Sequence, residues 1–174
     1  MSFFGSVRRS GAALGLILTL IGAPLSAETL ATPTGEAVLT ISGQVAITNQ
    51  DGVAVLDRAM LEALSPTTFT TTTIWTEGTQ SFVGVSLAAF LSEVGVSEGN
   101  LKATAINDYA VEIPVSDAVD GGPIIAYMRN GKSMSVRDKG PLWIVYPYDA
   151  VPGYQSEVIY SRSIWQLDRI EVID

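Results

Sequence analysis

From Ala37 onward the chain is a series of short β-prone segments separated by turn residues, and that punctuation confines it to a strand-rich fold. Ala37 to Thr48 is β-branched and roughly alternating, and Asn49-Gln50-Asp51-Gly52 turns it into a short return through Val53 to Leu56. Thr67 to Trp75 is rich in threonine and suits a pleated strand. Leu101 to Ile106 and Tyr109 to Val115 are two more strands, the second with Tyr109, Val111, Ile113 and Val115 on one face. Between them Asn107 and Asp108 form a hairpin turn, since both residue types tolerate the left-handed conformation. Ile124 to Met128, the Asn130-Gly131 turn and Lys132 to Val136 carry the clearest hairpin signal. Leu142 to Tyr146 is almost wholly apolar, as a strand covered on both faces must be, and Ser163 to Val172 supplies the last strand, with Trp165 packed inside it.

Two short helices interrupt this pattern. Asp57 caps one that runs to Leu64 and is stopped by Ser65-Pro66. Ser86 caps the other, whose Leu87, Phe90, Leu91 and Val94 recur at the spacing of one apolar face before Gly95 ends it. Strands outnumber helices, so the fold class is α+β with a mixed, mostly antiparallel sheet.

Ahead of these elements, Met1 to Arg9 holds Arg8 and Arg9 without an acid, Gly11 to Gly22 is apolar, and Pro24-Leu25-Ser26-Ala27 precedes Glu28. The pattern is that of a signal peptide over residues 1–27, cleaved after Ala27. The apolar run is about twelve residues, short of the roughly 20 that span a bilayer. Val7, Gly11 and Ala12 match a twin-arginine signal poorly, which favours ordinary export. The expected product is a periplasmic protein with no membrane insertion, consisting of a flexible lead over 28–36 and one domain over 37–174. Eighteen acids but only eight bases lie beyond Ala27, a net charge of −10 that repels nucleic acid and anionic lipid.

Neither cysteine nor histidine occurs in the chain. Their absence removes the usual zinc sites, haem and iron–sulfur ligation, and every nucleophile activated by histidine. Aromatic and charged residues gather in three Gly- or Pro-bearing loops: Trp75 to Gly78, Arg137 to Pro141 and Tyr146 to Tyr154. Such loops commonly line a pocket. Residue by residue the reading stays open: Trp75 is either core or a stacking wall, Tyr146 either a ligand contact or a half-buried strand residue, and Arg137-Asp138-Lys139 either a site or a solvated turn.

Several stretches together resemble the molybdopterin-binding domain of the sulfite oxidase family. They are Phe82-Val83-Gly84-Val85-Ser86-Leu87, Asp108-Tyr109-Ala110-Val111-Glu112-Ile113-Pro114, Met128-Arg129-Asn130-Gly131-Lys132, Lys139-Gly140-Pro141-Leu142-Trp143-Ile144-Val145-Tyr146-Pro147 and Ile164-Trp165-Gln166-Leu167. The resemblance implies that family's single α+β domain, with a pterin cofactor held by strand-end loops. Family enzymes bind molybdenum through a cysteine near the position where this chain reads Ile74-Trp75-Thr76-Glu77. The chain is similar to a cysteine-free periplasmic branch of the fold that binds reduced pterins and acts on the periplasmic region of a membrane diguanylate cyclase or phosphodiesterase. What the resemblance implies is therefore a non-catalytic protein whose ligand is a tetrahydropterin rather than the molybdenum cofactor. Its implied ligand-binding residues are Trp75, Thr76, Glu77, Asp108, Arg137, Asp138, Lys139, Tyr146 and Tyr148. Two rival readings are a molybdopterin-dependent oxidoreductase with a non-cysteine metal site, and an interaction subunit whose pocket is unused.

Overall fold

The computed structural model describes residues 29–174 together with Met1 and Ser2. The predicted signal peptide after Ser2, with its cleavage site, lies outside the described residues. The elements are β1 (Ala37–Gly43), β2 (Ala54–Asp57), α1 (Arg58–Ala63), β3 (Pro66–Thr73), β4 (Thr76–Ser86), α2 (Leu87–Glu93), β5 (Asn100–Ala105), β6 (Ala110–Pro114), β7 (Ile124–Arg129), β8 (Lys132–Ser133), β9 (Trp143–Val145), α3 (Glu157–Arg162) and β10 (Leu167–Ile173). They form two five-stranded sheets. The first has the order β2-β1-β10-β5-β6; the second is β3-β4-β7-β8, with β9 also paired to β7. Every pairing is antiparallel except β1 with β10, so the mixed, mostly antiparallel α+β architecture is as expected.

Alternation along the strands decides what is buried. Leu39 and Ile41 of β1 and Leu167, Ile170 and Val172 of β10 point into the core, while Ile124 to Tyr127 of β7, flanked by strands on both edges, are buried throughout. Each of the leucine, isoleucine and valine side chains among them contributes about 1.5–3 kcal/mol. Helix α2 lays Leu87, Phe90 and Leu91 on that core; Ser86 Oγ accepts from Ala89 N at 3.0 Å, and Gly95 leaves the helix at φ +69°. Asp57 caps α1 by accepting from Met60 N at 2.9 Å.

Several boundaries differ from expectation. β1 ends at Gly43 instead of continuing to Thr48, because Gly43 takes φ +84° where any Cβ would strike the Val172 backbone. The lead makes specific bonds to the domain: Thr34 N and Gly35 N both donate to Asp57 Oδ2 at 2.8 Å, and Asn49 Nδ2 donates to Ala31 O. The strand expected over Lys132–Val136 is only two residues, followed by a 3-10 turn at Val136–Asp138. Trp75 occupies a tight turn, and Thr76 to Gly78, read as loop, already belong to β4. Helix α3 adds a third helix to the two expected, and the last strand begins only at Leu167, because Gln166 turns at φ +54°.

Candidate functional site

Three segments converge at one end of the first sheet. The β5–β6 turn brings Ala105, Asn107 and Tyr109, with Asp108 at φ +66° making the reversal. Helix α3 and the residues after it bring Tyr160, Ser161, Ser163 and Ile164, and the kink before β10 brings Trp165 and Gln166. With Trp75 from the β3–β4 turn these residues line a cleft of about 290 Å³. That is near the lower end of the range for small-molecule clefts, roughly 300–1,000 Å³.

The walls are aromatic. Trp75 packs edge-on against Trp165, Tyr160, Trp143 and Tyr148, with ring centroids 5.5, 5.7, 5.9 and 6.3 Å away. Each pair is worth about 0.5–1.5 kcal/mol beyond its buried area, so the cluster holds the wall rigid. Polar groups at the cleft are neutral. Asn107 Oδ1 accepts from Tyr109 N at 3.2 Å, and Gln166 Nε2 donates to Val136 O at 2.8 Å. Those bonds leave the Asn107 amide NH2 and the Gln166 carbonyl for a ligand, one donor group and one acceptor. Ser163 is already committed, accepting from Tyr148 and donating to Ile159 O.

Of the residues implied by resemblance, only Trp75 lines this cleft. Asp108 forms the turn beside it, but its carboxylate pairs with Arg169 on the neighbouring strand. Thr76 Oγ1 is bonded to Thr73 Oγ1 at 2.8 Å, and Glu77 is exposed on β4. Arg137 and Asp138 are exposed in the 3-10 turn, where Asp138 accepts from Ser135 Oγ at 2.8 Å. Lys139 lies behind the cleft wall with its ammonium 4.0 Å from the Trp165 ring, and burial, followed by the charge of Arg129, shifts its pKa downward. Tyr146 and Tyr148 are core residues rather than cleft contacts. Their hydroxyls bond to Asp117 and Ser163, both at 2.7 Å, and burial pushes the Tyr148 phenol up to about 12.

The lining residues that sequence reasoning does not single out for the site are Ala105, Asn107, Tyr109, Tyr160, Ser161 and the run Ser163 to Gln166. A local signal did exist there. Ser156 is a helix cap, its Oγ accepting from Ile159 N, and Ser163-Ile164-Trp165-Gln166 breaks the alternation of a strand.

The donor set around the cleft decides what the family cofactor could find here. The lining holds no carboxylate, thiol or imidazole, and no cluster of three or more Asp or Glu suited to a metal ion occurs among the described residues. The lining thus offers aromatic ring surface and neutral amides and hydroxyls, and none of the side chains that usually ligate a transition metal. A larger groove of about 830 Å³ beside the end of α2 has no aromatic lining on which a ring could stack.

Fold and cleft together define an α+β domain with an aromatic-walled cleft at one end of its first sheet. The chain belongs to the oxidoreductase molybdopterin-binding domain family, whose model matches residues 56–174. The sulfite oxidase-type resemblance read from the sequence is thereby borne out. No curated protein matches the chain.

Proposed function

We propose that this protein binds a reduced pterin of the tetrahydropterin type in the aromatic cleft, without molybdenum and without oxo-transfer chemistry. In this reading it works in the periplasm, passing the state of the cleft to a membrane enzyme that makes or degrades cyclic di-GMP. The observation that carries the proposal is an aromatic, uncharged cleft in a molybdopterin-binding fold whose chain has no cysteine. Trp75, Tyr160 and Trp165 offer ring surface for stacking, and the Asn107 and Gln166 amides complement a heterocycle edge that carries both donors and acceptors. A neutral site suits a neutral ring, because no buried charge is left unpaired when the cleft fills.

Titrating the protein with tetrahydrobiopterin tests the proposal through Trp fluorescence and thermal melting. Quenching and a rise in Tm are expected, since ligand at 100 times its Kd stabilises a native-only binder by about 2.7 kcal/mol. Neither change at high micromolar ligand would sink the reading. Metal analysis of protein recovered from its native host tests the other half, and molybdenum near one per chain would overturn it.

A further inference from the structure

Among the described residues, Arg58, Lys102, Arg162 and Arg169 all pair with carboxylates. The other four bases beyond Ala27 are Arg129, Lys132, Arg137 and Lys139, which fall within residues 129–139 and form no ion pair among the described residues. They occupy the β7–β8 hairpin and the turn after it, at the edge of the second sheet where β8 is short and exposed. Arg129, Lys132 and Asp138 line a shallow cleft of about 310 Å³ there. Asp138 is the only acid in the stretch. Beyond Ala27 the chain carries −10, and half of its bases are thus gathered at one edge with a single carboxylate among them.

We propose that this edge docks an acidic polypeptide segment of a protein partner. The inference rests on the reading of the protein as a relay and gives that relay a surface. Charge complementarity selects the occupant. A bilayer or a nucleic acid presents rows of negative charge that extend past the patch and meet the acidic remainder of the protein. A peptide segment places its carboxylates on the patch alone, and the open β8 edge leaves backbone groups for it to pair with.

The same edge is joined to the cleft. Gln166 N donates to Lys139 O at 3.1 Å, Gln166 Nε2 donates to Val136 O, and the Lys139 ammonium sits on the Trp165 ring. Trp165 and Gln166 both line the cleft. Any shift they make on ligand binding moves the basic turn, and by linkage docking changes ligand affinity by the same factor.

The experiment follows a fluorescein-labelled ten-residue Glu/Ser peptide by anisotropy with the protein free of signal peptide and no pterin present. Binding should weaken with salt and fall at least about tenfold in the Lys132→Glu/Arg137→Glu double variant. Lys102→Gln, on the first sheet, should leave it unchanged. The proposal is overturned if the unmodified protein ignores the peptide, if the double variant binds as well, or if phosphatidylglycerol vesicles bind as strongly through the same cations. Repeating the titration with saturating tetrahydrobiopterin should change the peptide Kd severalfold; an unchanged Kd in the presence of bound pterin overturns the coupling. If tetrahydrobiopterin never binds while peptide binding still needs Lys132 and Arg137, the ligand reading fails and the docking surface stands.

Discussion

Asp117, in the turn after β6, ties together two supports of the cleft. Its Oδ2 accepts from the buried Tyr146 hydroxyl at 2.7 Å and from Arg162 Nη1 at 2.9 Å, with Oδ1 3.1 Å from the same nitrogen. Arg162 ends α3, which carries the cleft residues Tyr160 and Ser161. Asp117→Ala removes an ion pair whose side chains retain 25% and 15% exposure, worth about 1–2 kcal/mol between the exposed and buried limits. It also strands the hydroxyl of a fully buried tyrosine, at about 1–3 kcal/mol. The expected cost is about 2–5 kcal/mol. Tyr146→Phe alone gives up one hydrogen bond while Asp117 keeps Arg162, and costs about 1 kcal/mol. Combining the two deletes the stranded hydroxyl, so the double variant should be more stable than Asp117→Ala by about 1 kcal/mol. Urea unfolding followed by Trp fluorescence measures this. With a slope of about 2 kcal/mol/M, the double variant should unfold about 0.5 M later than Asp117→Ala. If the double variant is instead the weakest of the three, the Tyr146 hydroxyl finds another partner and the reasoning is refuted.

Trp165→Ala should weaken tetrahydropterin binding by about 1–3 kcal/mol, roughly 5- to 150-fold in Kd by fluorescence titration, and an unchanged Kd would remove Trp165 from the site. Gly43 and Gly52 both have positive φ, but a Cβ on Gly43 meets the Val172 carbonyl while one on Gly52 meets nothing within 4 Å. Gly52→Ala should therefore cost only about 1–2 kcal/mol, for the left-handed backbone, and Gly43→Ala clearly more; equal losses in thermal melts would contradict the close approach of β1 to β10. The Asp57 carboxyl is held below its ordinary pKa by backbone N–H donors of Met60, Gly35 and Thr34. As pH falls the unfolded chain takes up that proton first, so the stabilisation is complete above the ordinary carboxylate range and is lost as pH drops through the folded value. Asp57→Asn should accordingly flatten the dependence of Tm on pH between about 5 and 3, and superimposable profiles would reject this role.

What was legible in the sequence was local. The caps at Asp57 and Ser86 and the Asn130-Gly131 turn each depend on a few consecutive residues, and each appears where the pattern placed it. The Asp108 reversal is of the same kind. Helix α3 escaped because six residues with Ile159 alone buried give no periodic face to read. The parallel pairing of β1 with β10 joins Thr40 to Arg169, and no short-range signal encodes such a partner.

The candidate site divides along the same line. Trp75 was read as either core or wall, and it is both, since its ring meets four other rings and also faces the cleft. Tyr146 and Tyr148 look like cleft residues in an aromatic, Pro-bearing loop, yet Asp117 and Ser163 capture their hydroxyls in the core. Trp165 looked like packing inside a strand, yet Gln166 turns the backbone just before β10 and brings the indole to the cleft.

By itself the sequence determined the α+β class, the family and the chemistry within reach, because strand periodicity, helix caps and the lack of any thiol or imidazole are properties of residue types and their spacing. Only the tertiary structure decided which aromatic rings face the cleft and which bases stand unpaired. Both depend on contacts between residues far apart in the chain, and a side chain's exposure and counter-charge exist only once those contacts have formed.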